Sequence, residues 1–279
     1  MPPQMSDSSN EHIAFIGGGN MASAIIGGLL QRGLPASQIQ VVEPFAEQRA
    51  KLQQQFQVEV NAAPGAALQR AGLVVWAVKP QTFSEAASQA RNHVPAALHL
   101  SVAAGIRTDS IARWLGTERV VRAMPNTPAL IGQGITALFA CPAATAVDRQ
   151  AVERVIQTTG DLLWLNQEDQ LDAVTALSGS GPAYVFYFIE AMIQAGVEMG
   201  LSAEQSRQLA IATFSGASAL AQTATEPPEV LRARVTSKGG TTYAALTLME
   251  HDGVKAQFMR AIHAARQRAG ELGDEFGTV

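Results

Sequence analysis

Short runs of β-branched and aliphatic residues recur through the first part of the chain, at 12–16, 39–42, 58–60, 73–78, 98–102 and 120–123. Stretches with helical spacing lie between them. Strand, helix, strand at this interval predicts a parallel, doubly wound sheet with helices on both faces. Two further runs, 135–140 and 162–165, bracket a helix-like segment around 147–159 and extend the sheet. Beyond Leu165 the strand signal stops, and from Glu168 the spacing is helical, punctuated by glycines and prolines at 179, 181–182, 200, 227–228, 239–240 and 253. That pattern predicts an α/β domain over residues 1–165 and an all-helical domain over 166–279.

Two local signals sharpen the helical half. Ser202 followed by Gln205 is a capping box, in which the hydroxyl accepts the third helical amide and the Gln side chain returns to the cap, so a helix starts at Ala203. The stretch 183–193 is apolar on nearly every face apart from Glu190. A helix on a monomer surface does not sustain such a pattern, so this one is expected between subunits.

With 279 residues, two domains fit the usual domain size. Charged residues make up only 16% and hydrophobic ones 47%, which excludes disorder and again points to a buried oligomer interface. A net charge of −4 supplies no basic field for a phosphate backbone or an anionic membrane, so neither nucleic acid nor membrane is expected as a partner. Cys141 is the only cysteine, and the five histidines (12, 93, 99, 251 and 263) show no ligand spacing. Neither a disulfide nor a metal is expected. The first ten residues carry no positive charge ahead of an apolar stretch, and the longest apolar run, 183–189, is far too short to span a bilayer. The expectation is a cytoplasmic protein.

The first stretch with chemistry in it is Gly17-Gly18-Gly19-Asn20-Met21-Ala22, a GxGxxA directly after a strand and opening a helix. Gly17 permits the tight turn, Gly19 lets the backbone approach a pyrophosphate, and Ala22 lets helix and strand pack closely. The helix N-terminus offers free amides to phosphates. In this context the motif predicts a Rossmann-like dinucleotide site rather than a plain glycine turn. Glu43 ends the second strand, where a carboxylate takes ribose hydroxyls and repels a 2′-phosphate, making NADH the leading cofactor over NADPH. A Glu43 that merely faces solvent is the competing reading. Lys79-Pro80 follows the fourth strand, at the edge where ligands of such sheets sit. An ordinary solvated loop lysine is its alternative. Residues 101–105 and 124–128 follow the next two strands at the same edge, and 237–242 is a loop of small residues running into a helix, whose amides and hydroxyls suit a carboxylate.

Taken together, these stretches resemble the pyrroline-5-carboxylate reductase family, from Ile13 to about Gly270. The most specific pieces are the segment 172–184 (DAVTALSGSGPAY), Val78-Lys79-Pro80 and the 237–242 loop. The resemblance implies an interleaved homodimer, commonly assembled further into a decamer, a pentamer of dimers, with NADH or NADPH held by the first domain. Carried over position by position, the cofactor contacts are Ile16, Gly17, Gly18, Gly19, Asn20, Met21, Ala77, Val78, Lys79, Pro80, Val102, Ala103 and Ala104, with Glu168 an outlying member. The substrate contacts implied are Glu226, Ser237, Gly240, Thr241 and Thr242, with the Thr242 hydroxyl, the one catalytic group, aimed at the ring nitrogen. Lys238 departs from the family, which usually has proline there; it puts the rigidity of that loop in question and adds a positive charge.

The activity implied is hydride transfer to C5 of 1-pyrroline-5-carboxylate, giving L-proline, the last step of proline synthesis. An iminium accepts hydride far better than an imine, and much of the remaining work is positioning. Two alternatives are weighed. A β-hydroxyacid dehydrogenase, or another imine-reducing oxidoreductase, shares the domain order, but the hydroxyacid enzymes use a lysine on the first long helix of the second domain, and 184–193 has none. A nucleotide-sensing module would leave the 237–242 loop without a purpose.

Overall fold

The computed structural model describes residues 12–277; the reading of the first ten residues as lacking a leader lies outside them. Eight strands form one sheet: β1 (Ile13–Ile16), β2 (Ile39–Val42), β3 (Glu59–Asn61), β4 (Leu73–Trp76), β5 (Leu98–Ser101), β6 (Val120–Met124), β7 (Gly134–Ala140) and β8 (Gly160–Trp164). Their order is β3-β2-β1-β4-β5-β6-β7-β8. Every pairing is parallel except β6 with β7. Only Pro125 to Gln133 joins those two strands, too few residues for a crossover, so the chain reverses.

β1 shows why the central strands read as unbroken apolar runs. Ile13 and Phe15 enter one core, with Ile25, Ile26 and Leu29 of α1 (Asn20–Gln31), while Ala14 and Ile16 enter the other, with Trp76 and Phe83. Both faces of the strand are buried, so polar alternation disappears. The helices completing this part are α2 (Ala46–Phe56), α3 (Phe83–Ala90), α4 (Thr108–Leu115) and α5 (Ala146–Ile156).

After β8 the described chain is helical: α6 (Gln170–Val174), a π-helical turn (Thr175–Gly179), α7 (Gly181–Glu198), α8 (Ala203–Thr223), α9 (Pro228–Arg234), α10 (Thr241–His251) and α11 (Val254–Gly277). The Ser202–Gln205 capping box forms as the sequence predicts, with both reciprocal bonds present and the helix starting at Ala203. The chain divides into two compact units. One holds the described residues up to Ser180 together with those from Ala265 on; the other is Gly181–Ala264. In the second unit, Phe258 of α11 meets Tyr184 and Phe188 of α7 edge-on. Most of the remaining apolar surface there is uncovered within the chain: Phe186 is 58% exposed and Tyr187 69%, and Leu209 and Leu220 of α8 are exposed as well. Among the described residues no helix is long and apolar enough to cross a membrane.

Candidate active site

The strand order switches between the parallel neighbours β1 and β4: β2 and β3 follow outward on one side, β5 to β8 on the other. At the C-terminal ends of these two strands the loops part and leave a cleft, as sheets of this kind do at a topological switch point. The cleft encloses about 770 Å³ and is lined by Ile16, Gly17, Gly18, Gly19, Glu43, Ala77, Val78 and Lys79, with Phe45, Gln48, Lys51, Thr82 and others. Eight of the residues expected for a cofactor therefore line one cleft. Asn20 and Met21 begin α1 beside them, and Pro80 follows Lys79. Val102, Ala103 and Ala104 follow β5, and Glu168 precedes α6. None of these seven is part of the cleft lining.

The glycine turn is built by backbone constraints. The Gly17 amide donates to the Val42 carbonyl at 2.8 Å, and the Ala77 amide to the Ile16 carbonyl at 2.8 Å, so the chain leaves β1 wedged between its neighbours. Gly17 has φ of +94°, and a Cβ there would lie 2.6 Å from the Ala77 carbonyl oxygen, so only glycine fits. Above Gly19, by contrast, a Cβ would meet nothing within 4 Å. Gly19 caps α1, no side chain caps the helix, and its first turn carries no acidic residue. A glycine turn packed tightly below and open above, with uncapped helical amides beside a long cleft, fits the diphosphate of a dinucleotide.

Glu43 is 6% exposed and does not face solvent. One carboxylate oxygen accepts the Gly18 amide at 2.9 Å, the other the Phe45 amide at 3.0 Å. Arg49 in turn donates to the carbonyls of Glu43 and Pro44. Gln48, on the first turn of α2, donates to the Gly18 carbonyl at 2.6 Å. Sequence reasoning passed over Gln48, since a glutamine on a polar helix face carries no local signal.

Glu168 is a junction. One oxygen accepts the Thr108 amide at 2.7 Å and Arg122 at 3.0 Å; the other accepts the Thr108 hydroxyl at 2.6 Å. Arg122 lies on β6 and its side chain is 4% exposed. The carboxylate thus caps α4 and ties the end of the loop that carries Val102, Ala103 and Ala104 to the segment entering α6.

The residues expected for substrate all lie in the second unit. Ser237 and Gly240 close a turn, with the Gly240 amide donating to the Ser237 carbonyl at 3.0 Å. Gly239 takes φ of +78°, which admits glycine at little cost. Gly240 caps α10, again without a side-chain cap, so the helix starts at Thr241, two residues ahead of the start near Tyr243 expected from the sequence. Ser237 and Thr241 are exposed, Thr242 half-buried. Glu226, just before α9, pairs with Arg234. Lys238 lines a separate hollow of about 400 Å³, with Arg232, Thr236, Thr247 and Glu250.

Comparison with known proteins places this geometry. Residues 168–272 match the family described as pyrroline-5-carboxylate reductase dimerisation, and residues 12–105 match the one described as NADP oxidoreductase coenzyme F420-dependent. The pyrroline-5-carboxylate reductase of Pseudomonas aeruginosa is 44% identical over 272 residues, covering 96% of this chain and 99% of the relative. The chain belongs to the pyrroline-5-carboxylate reductase family. Two solved structures agree. That of the family member from Coxiella burnetii is 34% identical and superposes with a TM-score of 0.88 over 95% of this chain and 99% of its own. The Plasmodium falciparum enzyme, solved with NADP bound, is 26% identical with a TM-score of 0.86, over 96% and 100%. The π-helical turn Thr175–Gly179 falls inside the segment that carried the resemblance, a distortion of a kind common near functional sites.

Proposed function

We propose that this chain reduces 1-pyrroline-5-carboxylate to L-proline with NADH or NADPH. The observation that carries the reading is the match to the Pseudomonas aeruginosa reductase, 44% identical over nearly the whole of both chains. The hydroxyacid dehydrogenase alternative is not favoured, because α7 carries no lysine anywhere along its length.

The dinucleotide, when bound, supplies the reducing equivalents. Ile16, Gly17, Gly18, Gly19, Asn20 and Met21 hold its diphosphate with Ala77, Val78, Lys79 and Pro80 opposite, while Val102, Ala103 and Ala104 border the nicotinamide and Glu168 holds that loop in place. Each Glu43 oxygen keeps a lone pair beyond its backbone amide and accepts a ribose hydroxyl, and its charge opposes a 2′-phosphate, so NADH is preferred. Ser237 and the amides of Gly240 and Thr241 hold the substrate carboxylate, with Glu226 at the pocket's edge, and the Thr242 hydroxyl holds the ring nitrogen. Fixing these groups removes translational and rotational freedom before the chemical step.

The functional division falls at 165/166, with 166–279 taking substrate and partner subunit. Uncovered apolar helices and the match to a dimerisation family support a homodimer, and a decamer of five dimers is its larger assembly. The protein works in the cytoplasm. Oxidation of NADH and NADPH with pyrroline-5-carboxylate, against a panel of 2-oxo and 3-hydroxy acids, tests the activity and the coenzyme preference together. Turnover confined to another substrate class would refute the activity, and a wide NADPH preference would refute the role given to Glu43.

A further inference from the structure

A peptide plane fixes two directions at once. In a trans peptide the carbonyl of one residue and the N–H of the next point opposite ways, so whatever holds the Gly18 carbonyl also aims the Gly19 amide. Gln48 holds that carbonyl at 2.6 Å from α2. On the preceding peptide, Glu43 holds the Gly18 amide at 2.9 Å. Gly18 is buried, and a Cβ there would strike Leu52 of α2 at 2.4 Å, so the turn lies directly on that helix. The Gly19 amide is thereby turned away from Gln48, and a Cβ placed on Gly19 would meet nothing within 4 Å. A glycine with no such tether rotates its peptide freely, and each rotation points a carbonyl dipole, rather than an N–H, at an incoming anion.

We infer that Gln48 is a positioning residue for dinucleotide binding: it locks the Gly18–Gly19 peptide so that the Gly19 N–H faces the diphosphate. The inference rests on the reading of the cleft as the dinucleotide site. Gln48 acts through the peptide rather than on the reacting atoms, so its removal weakens diphosphate binding and leaves the chemical step intact.

The test uses the full chain with two substitutions. Gln48→Leu deletes the donor; Gln48→Glu keeps the size and sets a carboxylate against the Gly18 carbonyl. ADP-ribose, which carries the diphosphate without the nicotinamide, is titrated by calorimetry, alongside the KM for NADH, kcat at saturation and the thermal midpoint. Both variants are expected to bind ADP-ribose about tenfold more weakly, to raise the KM for NADH in parallel, and to keep kcat within about twofold and the melting temperature within a few degrees. Unchanged ADP-ribose affinity in either folded variant overturns the inference, as does a fall in kcat without a change in affinity. A wild-type chain that binds ADP-ribose but reduces no pyrroline-5-carboxylate defeats the proposed function and leaves this inference standing. One that binds and reduces, with variants binding equally well, defeats the inference alone.

Discussion

Acid should unfold this protein partly through one imidazole. His99, on β5, is 1% exposed and accepts a hydrogen bond from the Trp76 indole at 3.1 Å through Nδ1. An accepting Nδ1 places the proton of the neutral ring on Nε2. Protonation would set an N–H against an N–H, in a pocket where Trp76 also stacks on Phe83 at 5.1 Å. Burial, reinforced by the nearby Arg119 charge, holds the His99 pKa at about 4, against 6.5 for the free side chain. The unfolded chain therefore takes up a proton that the folded chain refuses. Because the folded pKa is the lower one, stability is full above pH 6.5 and falls as the pH drops toward 4. By linkage, between pH 7 and 4.5 this residue alone removes roughly 2–3 kcal/mol. His99→Gln keeps an acceptor for the indole and cannot titrate. Urea unfolding at fixed protomer concentration, at pH 7 and 4.5, should show the wild type losing roughly 2–3 kcal/mol more than the variant over that interval. Parallel losses in the two proteins would refute the argument.

Thr242→Val should lower kcat about tenfold to a hundredfold, the worth of a charge-assisted hydrogen bond, whereas Ser237→Ala should act mainly on the KM for substrate; steady-state kinetics separate the two. Glu168→Ala strands the buried Arg122 guanidinium and should cost about 3 kcal/mol in urea unfolding, with much of it recovered when Arg122→Met is added. Gly28→Ala forces a methyl to within 2.6 Å of the Thr158 carbonyl oxygen and should cost roughly 1–3 kcal/mol, read as a lower urea midpoint. Phe186→Asp puts a charge on the uncovered face of α7 and should shift the protein toward monomer in light scattering.

The sheet was legible because strands buried on both faces are largely apolar: β1 and β4 are apolar throughout, while β2 and β5 are buried at every position and carry only Gln40, His99 and Ser101 as polar residues. The GxGxxA turn and the Ser202 capping box were equally visible, since each is set by residues within a few positions of one another. Gln48 and Glu168 were not legible in the same way. Gln48 reaches back 30 residues to a backbone carbonyl, and Glu168 bonds to Thr108, 60 residues away, and neither leaves a period in the chain. Glu43 lies between these cases: its position at the end of β2 marked it, while its bond to the Gly18 amide required the fold. The Trp76–His99 pair, 23 residues apart, is hidden for the same reason, because neighbouring parallel strands bring together residues that the sequence separates by a whole helix.

The last helix also bears on the order in which the protein is assembled during synthesis. α11 begins in the second unit and ends in the first, where Arg107 pairs with Asp274 at 2.8 Å and Phe276 packs against the core beneath α3 and α4. The dinucleotide-binding unit thus includes residues that leave the ribosome only after the whole intervening helical unit has been made. A nascent chain can form the sheet early, but it keeps an open apolar seat beside Gly105 and Ile106 until residues 265–277 arrive. A stop codon shortly after Ala264 would leave that seat uncovered permanently.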